Sequence, residues 1–334
     1  MTAKRVILDT DPGIDDSLAM LLALASPELQ LEAVTVTGGN CTAAQGVINA
    51  LSVLELAGAG QVPVAEVVGL PLVQPPLTAP ETHGDTGLGY ARLAAPRGRA
   101  ASQHAVDLII ESIMAAPGEI SLVAVAPLTN LAMAIRREPA IVKAVREVIV
   151  MGGALRHPGN TTPQAEFNVY VDPHAAYIVY HSGMPITLAP LDVTYQCVLT
   201  QDDVKRLLVV DSPITRFIAD ATRFYMEFHD QYQHIQGCVI NDPMALALAF
   251  APDLVETSPL YVTVDLHSAM SLGKTVADFY HAWHKPPNMQ VALQVQARRF
   301  IDLFVERIAA FASGKINPHH PMIGHIIHSE EERS

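Results

Sequence analysis

Eight residues near the start of the chain, Asp9-Thr10-Asp11-Pro12-Gly13-Ile14-Asp15-Asp16, constrain the fold more than any other stretch. They lie between two apolar runs. Val6-Ile7-Leu8 reads as a buried strand, and Ser17-Leu18-Ala19-Met20-Leu21-Leu22-Ala23-Leu24 reads as a buried helix. Four carboxylates therefore sit at the carboxyl end of a strand, where open α/β sheets place ligands. Pro12-Gly13 forces a tight turn that folds the carboxylates onto one another. Like charges held so close repel, and a stable arrangement needs a cation among them. All the donors are hard oxygens, which suits calcium or magnesium rather than zinc. The bland alternative is a helix cap, which Asp15 or Asp16 alone could provide. One cap needs one aspartate, so the metal site is the stronger reading.

Beyond this loop, strand-like and helix-like stretches alternate to the end of the chain. Apolar strand patterns occupy residues 31–36, 62–67, 120–125, 145–151, 186–189, 261–264 and 289–295. Helical patterns occupy residues 42–57, 101–115, 127–137, 173–182, 201–231 (as two helices), 242–250 and 297–311. Such alternation predicts one doubly wound α/β domain with a mainly parallel central sheet over residues 1–315, followed by a C-terminal tail at 316–334. Asp242-Pro243 opens the helix at 242–250, with Asp242 expected at the N-cap and Pro243 at the first helical position. A Pro-rich loop at residues 69–80 leads into Thr82-His83-Gly84-Asp85-Thr86-Gly87-Leu88-Gly89, whose glycines let a loop lie close against a ligand. A parallel sheet would gather the polar groups that follow its strands on one edge. These are the acidic loop, Asn40, Val125, Met151 with Gly152 and Gly153, Asp192, and the later cluster Asn160, Glu166 and Asn168.

The net charge of −13 argues against binding to a nucleic-acid backbone, which needs clustered Lys and Arg, and also against anionic membranes. No uninterrupted run of about 18 apolar residues suggests a membrane span. Met1-Thr2-Ala3-Lys4-Arg5 runs straight into the first strand, leaving no room for a signal peptide. Three cysteines without metal-type spacing, Cys41, Cys197 and Cys238, fit a reduced cytoplasmic setting. Nothing beside Cys41 or Cys238 signals an activated thiolate. Met20, Met114 and Met133 fit core packing, and His319, His320, His325 and His328 read as a solvated terminus rather than a metal site.

The opening motif resembles the N-terminal signature of the inosine-uridine-preferring nucleoside hydrolase family. The resemblance continues through Gly39-Asn40, His83-Gly84-Asp85-Thr86-Gly87-Leu88, Val125-Ala126-Pro127-Leu128-Thr129-Asn130, Met151-Gly152-Gly153, Ala165-Glu166-Phe167-Asn168 and Asn241-Asp242-Pro243. It implies a calcium ion held by Asp11, Asp16, Asp242 and the backbone carbonyl of Val125. The ion would lower the pKa of a water whose proton Asp11 accepts as general base. That water would attack the anomeric carbon of a ribonucleoside through an oxocarbenium-like transition state, releasing ribose and base. Asp15 and Asn168 would hold ribose hydroxyls, Asn40, Asn160 and Glu166 would complete the polar grip, and Met151 would lie against the sugar. The resemblance also implies a homodimer or homotetramer.

One position departs from the family pattern. Many members carry a histidine immediately before the aspartate matching Asp242, as acid for the departing base, and here that residue is Asn241. An asparagine cannot supply a proton at neutral pH but can hydrogen-bond to a base. His83, His229, Tyr232 and His234 are the candidates for base-side contacts, with His83 favoured as substitute acid. Two other classes compete. Haloacid-dehalogenase-type phosphatases also open with a strand and Asp-x-Asp, but the usual Asp-x-Asp-Gly-Thr form is absent. A metal-dependent nucleoside-binding protein without turnover would fit Asn241, but it has no use for a general base at Asp11.

Overall fold

The computed structural model describes residues 2–66 and 70–316. The histidines expected in a solvated tail, and most of the tail itself, lie outside that range. Twelve strands occur among the described residues. They are β1 (Lys4–Thr10), β2 (Leu29–Val36), β3 (Val64–Glu66), β4 (Ile120–Ala124), β5 (Glu147–Met151), β6 (Ile186–Ala189), β7 (Val198–Leu199), β8 (Cys238–Val239), β9 (Val255–Leu260), β10 (Val262–Val264), β11 (Thr275–Ala277) and β12 (Met289–Val295). Eight form the central sheet in the order β3-β2-β1-β4-β5-β6-β12-β9. Every pairing in it is parallel except β12 with β9.

Successive side chains of a strand point to opposite faces, and here both faces are apolar. Val6 and Leu8 of β1, Val123 of β4 and Ile149 of β5 join one buried cluster. Ile7, Leu122 and Val148 join the other. Helices cover both, which is why these strands read as continuous apolar runs rather than alternating ones. The helix Ile14–Leu24 is buried along its whole length, as its apolar run from Leu18 to Leu24 requires. It packs against the helix Asn241–Ala247, which is also buried throughout.

The strand order reverses direction between β1 and β4, and a crevice opens at such a switch point, beyond the carboxyl ends of the strands. The acidic loop follows β1 and Val125 follows β4, so the two lie side by side there.

One strand was missed and two local expectations are corrected. The antiparallel edge strand β9, Val-Glu-Thr-Ser-Pro-Leu, was not legible, because it is polar and partly exposed like many edge strands. The helix carrying Asp242 begins at Asn241 with Ile240 at its N-cap, so Asp242 sits in the first turn instead of capping it. Met20 is core, but Met114 and Met133 are more than a third exposed and pack no core.

Candidate active site

Pro12 and Gly13 turn the chain so tightly that the Asp16 carboxylate reaches back over the loop. It accepts the backbone N–H groups of Asp11 (3.1 Å) and Gly13 (3.0 Å), the Thr10 hydroxyl (2.5 Å) and the Asn40 side-chain amide (2.7 Å). Asp16 thus serves the cap expected of one aspartate and also fixes the loop. Asp11 points the other way. Its Oδ2 accepts the Asn40 backbone N–H at 2.7 Å, while its Oδ1 is buried with no partner. Gly39 makes this approach possible, since a Cβ added there would run into Asp11 Oδ2.

Asp15, Asp16 and Asp242 are buried and each offers an oxygen within 4.8 Å of the others. Asp11, expected as a ligand, falls outside that tightest triple but is close enough to burden Asp242 electrostatically. No Lys or Arg lines the crevice among the described residues. Burial first, then the charge of Asp16, pushes Asp15 up to about 7. Burial and the neighbouring aspartates drive Asp11 and Asp242 well above the usual carboxylate range. Four crowded carboxyls without a balancing side chain, one carrying an orphaned oxygen, fit a hard divalent cation.

The crevice above them holds about 670 Å³. Along one side stand Asn40, Val125, Met151, Asn160, Glu166 and Asn168, all expected from sequence. Asn168 Nδ2 donates to the Val125 carbonyl at 3.0 Å. Glu166 caps the helix Phe167–Val171, accepting the N–H groups of Asn168 (2.9 Å) and Val169 (3.1 Å) as well as that of Gly153 (2.9 Å). Asn160 Oδ1 accepts the Phe167 N–H at 2.9 Å. These contacts splint the loop after β5 against the sheet edge.

The facing wall is the helix Pro213–Gln233, which presents Tyr225, Phe228, His229, Tyr232 and Gln233. His229 and Tyr232 were expected there. His234 was expected too, but it ends the helix in a left-handed conformation (φ 57°), is exposed and does not line the crevice. Tyr225, Phe228, Gln233 and Tyr195 were missed. The signal for Tyr225 and Phe228 was an aromatic stripe at positions 225, 228, 229 and 232, a spacing that reads as core packing.

His83 lines the crevice with one ring nitrogen engaged. Its Nδ1 accepts the Ile14 N–H at 3.1 Å, and burial brings the ring down to about 4, so at neutral pH it is an uncharged support for the start of the first helix. Asn241 Nδ2 lies 3.3 Å from Asp15 Oδ2, while its Oδ1 is buried and unpartnered. Cys41, Cys197 and Cys238 are buried free thiols, none of which lines the crevice.

Comparison with known proteins follows the same lines. The family model described as inosine-uridine preferring nucleoside hydrolase matches residues 6–302. A protein of Citrobacter koseri, named pyrimidine-specific ribonucleoside hydrolase RihA, is 36% identical over 312 residues, covering 93% of this chain and 100% of that protein. Among solved structures, a purine-preferring ribonucleoside hydrolase from Gardnerella vaginalis superposes with a TM-score of 0.88 at 35% identity, covering 92% of this chain and 99% of that one. The plant nucleoside hydrolase PpNRh1 gives a TM-score of 0.87 at 34% identity, covering 92% and 100%.

Proposed function

This chain belongs to the inosine-uridine preferring nucleoside hydrolase family, and from that premise we propose that it hydrolyses the N-glycosidic bond of ribonucleosides to ribose and free base. The observation that carries this reading is the buried carboxylate group Asp15, Asp16 and Asp242, with the orphaned Asp11 Oδ1 beside it, at the floor of a crevice with polar and aromatic sides.

Asp11, Asp16, Asp242 and the Val125 carbonyl would hold the cation, and an all-oxygen set of this kind favours calcium. When bound, the cation offsets the carboxylate repulsion and lowers the pKa of a nearby water. Asp11 accepts the proton of that water as its oxygen bonds to the anomeric carbon. The C–N bond breaks, and its electron pair leaves with the base, which takes up a proton. Asp15, Asn40, Asn160 and Asn168 orient the sugar, Glu166 braces the backbone that carries Asn168, and the carboxylates stabilise the positive charge that develops on the sugar. Preference for ribose over deoxyribose follows, because a missing hydroxyl leaves a buried polar group unpaired. His83 acts by positioning the loop rather than by protonating the base. The relatives' names point to pyrimidines in one case and purines in another, so neither preference is carried over.

The test is ribose release from a panel of ribonucleosides, with and without EDTA, for the native protein and Asp11→Ala. Release that chelation abolishes and that falls by about 10²–10⁴-fold in Asp11→Ala supports the assignment. Tight nucleoside binding without release would make the protein a binder instead, and full activity in Asp11→Ala would remove Asp11 as the base.

A further inference from the structure

The crevice has two chemically different ends. Carboxylates and amides line one part of it, and the aromatic side chains Tyr225, Phe228 and Tyr232 of the helix Pro213–Gln233 line another; aromatic rings are the kind of surface on which a planar base stacks. Between them lie polar atoms that the reaction scheme does not use. Asn241 Oδ1 is buried without a partner. With a cation bound, Asp15 is ionised and can only accept, so it takes the NH₂ side of the Asn241 amide, 3.3 Å away. Gln233 lies beside the Tyr195 hydroxyl on the crevice wall, and its Oε1 is buried without a partner. His229 adds a third atom of the same kind. Its Nδ1 stands 2.8 Å from the Tyr225 carbonyl, which can only accept, so Nδ1 carries the hydrogen and Nε2 is bare. Burial keeps that ring neutral, down to about 4.

An orphaned buried acceptor is destabilising until a donor reaches it. We infer that the base end of this crevice is an acceptor-lined wall, formed by Asn241 Oδ1, Gln233 Oε1 and His229 Nε2, that selects ribonucleosides whose base presents N–H donors. Amino-substituted bases are its preferred class, and bases bearing only acceptors on that edge are disfavoured. This rests on the nucleoside reading of the same site. It also gives Asn241 a role opposite to that of a proton-donating histidine: it recognises a hydrogen on the base instead of supplying one.

The experiment compares pairs that differ only by the amino group. Adenosine is set against purine ribonucleoside, and cytidine against the ribonucleoside of pyrimidin-2-one. Each is measured for kcat/KM and, separately, for equilibrium affinity in the presence of calcium. The amino-bearing member of each pair is expected to lead by about 10-fold or more, the effect of one buried hydrogen bond. In Asn241→Leu and Gln233→Leu the ratio within a pair is expected to move toward one. A ratio near one in the native protein overturns the inference. So does a loss in Asn241→Leu that is equal for both members, since the amide would then be serving a ribose hydroxyl. If nothing is hydrolysed, the hydrolase reading fails and the affinity ratios still decide this inference. If no nucleoside binds, both readings fall.

Discussion

Gly39 shows how narrowly single residues set this site. Its missing Cβ makes room for Asp11 Oδ2, so Gly39→Ala must displace the carboxylate or the backbone that carries it. An error of about 1 Å in a reacting group can cost on the order of 10²-fold in rate. Ribose release by Gly39→Ala is expected to fall by about that factor while its circular dichroism stays native. His83 makes a different prediction. Without its ring nitrogen the Ile14 N–H has no partner in a buried place, so His83→Leu is expected to lose about 1–3 kcal/mol in urea unfolding. Neither role could be read from sequence. The motif around Gly39 and the Gly-rich loop around His83 mark proximity to a ligand, but a hydrogen bond between residues 14 and 83 exists only in three dimensions.

Among whole elements, the helices Gln201–Leu208 and Ala297–Ala312 are tied through Asp203. Thr200 and Asp203 form a capping box at the first helix, and Arg298 of the second donates to Asp203 at 2.9 Å. Burial works against the charged carboxylate, but the hydrogen bonds from Arg298, Thr200 and Arg206 outweigh it and hold Asp203 down at about 2. A folded pKa below the ordinary 3.8 means the unfolded chain binds the proton more readily. The stabilisation is therefore complete above pH 4 or so and is lost as the pH falls from about 4 toward 2. Asp203→Asn is expected to be destabilised by about 2 kcal/mol at pH 7, a difference that shrinks in acid-denaturation curves below pH 4. The helices themselves were legible from their periodicity. Their mutual clasp was not, because ninety-five positions separate Asp203 from Arg298.

For the molecule as a whole, the acidic floor joins stability to metal binding. Buried carboxylates that repel one another in the folded chain are relieved by a cation that the unfolded chain binds poorly, so saturating calcium should raise the melting temperature. At a hundredfold excess over the dissociation constant the gain is about 2.7 kcal/mol. For a chain of this size that amounts to several degrees, measured by calorimetry with calcium against EDTA. An unchanged melting temperature would count against a cation at this site. The sequence by itself determined the alternation of apolar strands and helices, hence a doubly wound sheet, because periodicity and burial are local properties that each segment carries with it. It also determined that a strand end would bear crowded carboxylates, because they are neighbours in the chain. Only the tertiary structure decided that Asp242 joins Asp15 and Asp16, that Glu166 spends its oxygens on backbone N–H groups, and that Asn241 Oδ1 is buried without a partner. Those are relations between segments brought together by the order in which strands β1, β4 and β5 and the helix at Asn241 pack, and no local pattern records such an order.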